Sequence, residues 1–159
     1  MWRQTTSSTA GLASAGIQRR PFYESDNLPE RPMAIKRTNA DTWFSKAVRA
    51  RDGACLVCGT DQTLECAHIY GRRRKIVRYS MDNAVTLCHY HHRVMTENPL
   101  AFAGFLEQEL GAGHLEILTE KCRGILKENK AIRDEIAKHY REEVRKKEQN
   151  PDYVIVSYN

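Results

Sequence analysis

Cys55 and Cys58 are separated by two residues, so one turn of chain can present two thiolates to a single tetrahedral ion. Cys88-x2-His91 repeats that spacing further along the chain with a thiolate and an imidazole. Together Cys55, Cys58, Cys88 and His91 make a Cys3His set of the kind that binds zinc and contributes to folding. The remaining cysteines, Cys66 and Cys122, fall on a strand and on a helical face and read as packing residues. With neither a bilayer-spanning run nor a secretory signal the chain is expected to be intracellular, and an odd count of five cysteines in a reducing compartment argues for metal binding over a disulfide framework. Three further residues carry chemistry. His68 closes an apolar run, Asn83 follows a basic loop, and His92 comes directly after the last thiolate–imidazole pair. An imidazole that takes a proton from water, an amide that braces a turn and an imidazole that holds a divalent cation are the parts that phosphodiester hydrolysis requires.

A short strand over 63–69, a second strand or turn over 83–87 and a helix from about residue 88 are the elements that would bring these side chains together. Before them, Trp43, Phe44, Ala47 and Val48 mark a helix starting at Thr42, capped by Asp41 or Asn39 and stopped by Asp52-Gly53. After Asn98-Pro99, helical spacing recurs up to Gly111, again over about 112–122 and again from Lys130 to Lys147. The fold class expected is α+β, a small zinc-stabilised strand–strand–helix core flanked by helices. Its divisions are a flexible arm over 1–40, the core over 41–98, a helical extension over 99–149 and a tail over 150–159. The tail alternates from Tyr153 to Tyr158 like a strand or a docking arm.

The chain has 159 residues, 41% of them hydrophobic, which is enough for one modest core. Its net charge of +5 suits a polyanionic partner or simple solubility, so the placement of charge decides. Arg72, Arg73, Arg74, Lys75 and Arg78 lie between the proposed base and Asn83, where guanidinium forks would meet phosphate oxygens. No base-reading helix is evident, so DNA would be met through its backbone. The charges at Arg141, Arg145, Lys146 and Lys147 are balanced by Glu142, Glu143 and Glu148 and read as a solvated face. No apolar run is long enough to span a bilayer, and no secretory signal is evident at the N-terminus.

Cys55-x2-Cys58, Ala67-His68-Ile69, Asn83 and Leu87-Cys88-x2-His91-His92 together resemble the HNH (ββα-metal) endonuclease superfamily. More narrowly, the lead-in from Trp43 to Asp52 and the stretches Ala67–Arg73 and Val77–Asn83 resemble the NinG-type, Rap-like phage recombination nucleases. The resemblance spans about 41–147. It implies His68 as general base, Asn83 as the residue holding the active-site turn and His92 as ligand of a catalytic Mg2+ or Mn2+. It also implies structural zinc on Cys55, Cys58, Cys88 and His91. The implied substrate is DNA, branched or recombination-intermediate in form. The implied setting is intracellular, the host cytoplasm for a phage-encoded chain. Many HNH enzymes place an acidic ligand directly before the base, where this chain has Ala67; Asp82 and Glu65 are the candidates to replace it. A non-catalytic zinc module binding DNA or protein, and an accessory nuclease of a larger phage packaging or defence complex, remain alternatives. A homodimer would supply two active sites for two strands.

Overall fold

The computed structural model describes residues 36–158. The arm expected over 1–40 therefore lies, up to residue 35, outside the described residues. The first helix, α1, runs Asn39–Asp52 and starts three residues earlier than the sequence suggested. Thr38, not Asp41 or Asn39, is the cap. Its hydroxyl accepts from the Asp41 N–H, and the Asp41 carboxylate accepts from the Thr38 N–H at 2.7 Å, a reciprocal capping box. Asp41 thus sits inside the first turn. Gly53 ends α1 with φ of 72°, a left-handed conformation that a side chain would oppose.

Strands β1 (Leu64–His68) and β2 (Ala84–Cys88) pair antiparallel, with Leu64 opposite Cys88 and His68 opposite Ala84. Helix α2 (His89–Glu97) follows β2 directly. Side-chain alternation divides the sheet between two apolar clusters. Cys66 and Ala84 face Phe44, Ala47 and Val48 of α1, while Ala67, Val85 and Leu87 face Leu106 and Phe105 on the other side. Every residue of β2 is buried. Its free edge is closed by α1, because the Asp52 carboxylate accepts from the Thr86 N–H and Arg51 donates to the carbonyls of Met81 and Ala84.

Three more helices follow, α3 (Pro99–Leu110), α4 (His114–Lys121) and α5 (Lys130–Gln149). Helix α5 lays Ile136, Ala137, Tyr140 and Val144 against α1, in one apolar cluster with Tyr79, Met81 and Ala84. Burying each large side chain there contributes roughly 2 kcal/mol. The tail does not form a strand. It docks on α5 without regular secondary structure, with Ile155 buried and the N–H groups of Val156 and Tyr158 donating to Glu143 and to the Tyr140 hydroxyl. Glu143, read from sequence as part of a solvated charged face, is buried as the anchor of this tail. No helix among the described residues is long and apolar enough to cross a membrane.

Candidate metal centre and adjoining cleft

The turn between α1 and β1 carries Cys55 and Cys58, and the β2–α2 junction carries Cys88 and His91. Antiparallel pairing brings the two together, and the ligand atoms of all four lie within 4.8 Å of one another. The Nδ1 of His91 is 3.2 Å from the Cys88 Sγ and 3.6 Å from the Cys55 Sγ. Burial disfavours the Cys55 thiolate, but hydrogen bonds from the backbone of Cys88, Cys58 and Val57 outweigh it and bring the thiol down to about 6. Cys58 moves the other way. The Thr60 backbone favours its thiolate, yet desolvation and the neighbouring Cys55 and Cys88 raise it. Thiols competing for one charge in one small space, beside an imidazole, form a donor set that a metal ion such as zinc would satisfy. Cys66 stays out of the set. It is packed against the α1 side of the sheet, where burial pushes its thiol up to about 12. Cys122 caps the end of α4 and is partly exposed, not a core residue.

His68 ends β1, and its ring lies 5.4 Å from that of Phe44 on α1. Its Nε2 is 3.1 Å from the carbonyl oxygen of Arg78. A carbonyl only accepts, so Nε2 carries the proton in the neutral ring and Nδ1 keeps its lone pair. Burial drives the imidazole down to about 4, against the carbonyl, which favours the charged form. The ring is therefore neutral at neutral pH. Asn83, directly before β2, is fully buried. Its Oδ1 accepts from the Tyr70 N–H at 2.8 Å and its Nδ2 donates to the Tyr70 carbonyl at 2.9 Å. The amide thus grips both backbone groups of the residue two positions after His68 and fixes the chain as it leaves β1.

His92, in the first turn of α2, meets Glu65 on β1, with Nδ1 2.5 Å from Oε2. His89, one turn away, places its Nδ1 2.9 Å from Oε1 of the same carboxylate. Glu65 and His68 lie on alternate faces of β1, yet both reach one open cleft of about 450 Å3 that His92, Arg37, Arg49 and Arg72 also line. Of the two acidic candidates, Glu65 is at this cleft. Asp82 is not: it pairs with Lys121 at 2.7 Å elsewhere.

The basic loop divides. Arg72 lines the cleft, and Arg73, Arg74 and Lys75 are exposed. Arg78, expected among the DNA contacts, is instead buried. Its Nε and Nη2 clamp the Asp41 carboxylate at 2.9 and 2.7 Å, and Nη1 approaches Glu128 at 3.6 Å. Desolvation opposes the charge on Asp41, but this fork and Thr38 hold its carboxyl below the usual range. Arg37 and Arg49 were not singled out from the sequence. Arg49 had a legible signal, lying one turn after Ser45 on the face of α1 that reaches the cleft; its Nη1 donates to the Ser45 hydroxyl. No protein-family model, no curated protein and no solved structure matches the chain.

Proposed function

We propose that the chain is a metal-dependent DNA endonuclease of the HNH type, with zinc on Cys55, Cys58, Cys88 and His91 as a structural ion. The observation that carries this reading is His68. Its proton is committed to the Arg78 carbonyl, its ring is neutral at neutral pH, and it lines an arginine-bearing cleft with His92. In this reading Nδ1 of His68 takes a proton from water, and the hydroxide attacks phosphorus. The bond from phosphorus to the leaving deoxyribose oxygen then breaks; that oxygen takes a proton from a second water, and the proton held on His68 neutralises the hydroxide left behind. A divalent cation on His92, Mg2+ or Mn2+, supplies positive charge for the phosphate and the leaving oxygen. Arg37, Arg49 and Arg72 attract the backbone irrespective of base sequence. Asn83 keeps the turn after His68 in place. The NinG-like resemblance extends the proposal to branched or recombination-intermediate DNA.

Supercoiled plasmid incubated with the zinc-loaded protein and Mg2+ or Mn2+ tests it, with His68→Ala and EDTA alongside. The expected result is metal-dependent nicking that falls by about 10²–10⁴-fold in the variant. Equal cleavage by both proteins would remove His68 from the mechanism. Plasmid retarded in a gel but never cut would favour a zinc-containing binding module.

A further inference from the structure

We infer that Glu65 is the acidic ligand of the divalent-cation site, completing it with His92 from two positions before Ala67 and favouring Mn2+ over Mg2+. The inference rests on the nuclease reading above and adds to it the ligand that the motif lacks. Glu65 Oε2 and His92 Nδ1 meet in a hydrogen bond of 2.5 Å across the junction of β1 and α2, and a cation that displaces the shared proton would find both atoms as donors. His89 Nδ1 engages the other carboxylate oxygen, so Oε2 is the oxygen turned toward His92. Three arginines line the same cleft, yet among the described residues the carboxylate forms its ion pairs with imidazoles only.

Placement adds a second argument. Of the two carboxylates lining the cleft, Asp41 is already neutralised by Arg78. Glu65 is the remaining one, held among the described residues by imidazoles and by no guanidinium or ammonium group, and its charge would repel a phosphate. A cation on that carboxylate reverses the effect, since the ion would then face the phosphate with net positive charge. Two protein ligands leave most of the coordination sphere to water and phosphate oxygens. One of the two is an imidazole. Mg2+ prefers oxygen ligands throughout, whereas Mn2+ accepts nitrogen more readily and lies on the affinity series of the transition ions.

The test reads cation binding without DNA. The protein is loaded with one zinc, then titrated with Mn2+ while the paramagnetic resonance signal of free Mn2+ is followed. Wild type takes up one Mn2+, and Mg2+ displaces it only at concentrations at least about tenfold higher. Glu65→Gln, which keeps the size and polarity of a half-exposed side chain, weakens Mn2+ at least about tenfold with unchanged melting temperature; His92→Ala does the same. Glu65→Gln binding Mn2+ as tightly as wild type overturns the inference, as does wild type binding none beyond zinc. Plasmid cleavage separates this outcome from that of the nuclease reading. Glu65-dependent Mn2+ binding without cleavage keeps the site and removes the nuclease. Cleavage with the same Mn2+ dependence in Glu65→Gln keeps the nuclease and removes Glu65.

Discussion

Arg78 separates two accounts of the basic loop. As a phosphate contact its loss would weaken DNA binding and lower the salt slope by about one unit, with stability untouched. The structure gives it other work. Its side chain is 6% exposed, that of Asp41 is 4% exposed, and the two meet through a bidentate fork. Arg78→Met leaves Asp41 as a buried charge, paired only with the capping contacts of Thr38. Breaking such a pair from one side costs about 3–5 kcal/mol. For a chain of this size that is roughly a 10 °C fall in melting temperature, and a large share of the 5–15 kcal/mol that holds a typical domain. Adding Asp41→Asn removes the stranded charge, so the double variant loses less than the sum of the singles by at least about 1 kcal/mol. Calorimetry and urea titration of the zinc-loaded proteins measure this, with a gel shift at two salt concentrations alongside. A melting temperature within about 2 °C of wild type, with additive single effects, would refute the buried-pair account. The same variant bears on chemistry, because the Arg78 carbonyl is the group that holds His68 Nε2.

The pH dependence of stability has a definite sign. His68 titrates near 6.5 in an unfolded chain and at about 4 in the fold, so between these values the unfolded state binds more protons. Its contribution, on the order of 3 kcal/mol, is complete above pH 6.5 and disappears as pH falls toward 4. His68→Phe, with no proton to gain, should give a flatter curve of urea midpoint against pH over that window; parallel curves would sink the idea. For zinc, structural sites of this type supply on the order of 10 kcal/mol. A strong chelator, or Cys88→Ser, should therefore unfold β1, β2 and α2, read as lost helical circular dichroism. Unchanged melting after chelation would contradict it. Mn2+ alone should not restore cleavage to the stripped protein, while zinc followed by Mn2+ should.

Local signals made most of the elements readable. The strand–loop–strand–helix order, the stops at Gly53, Gly111 and Asn150-Pro151, and the clustering of four residues able to hold a metal all follow from spacing and turn chemistry. What was not readable depended on partners distant in sequence. Arg78 looks like its neighbours until Asp41, 37 residues earlier, is placed beside it. Glu143 looks like one more surface charge until the tail returns to donate the Val156 N–H to it. The start of α1 was misplaced because Asn39, Asp41 and Thr38 are all competent caps, and the Asp41 carboxylate folding back on the Thr38 N–H decides among them. Glu65 was one of two acidic candidates, and only the strand register turns it toward α2 and leaves Asp82 with Lys121.

The Cys3His cluster and the cleft are joined by two consecutive residues of α2. His91 and His92 project from α2 about 100° apart around its axis. The first reaches Cys55 and Cys88, the second Glu65. α2 itself is anchored weakly: it has no fully buried residue and no side-chain cap at its N-terminus. Little apolar packing therefore sets the rotation of its first turn. A metal ion gripping His91 would set it, and would thereby fix where His92 points. On that reasoning the ion on the Cys3His set acts on the cleft without touching it. An imidazole proposed to hold a cation could then sit on so exposed a helix, because coordinate bonds to His91 would hold its orientation one residue earlier.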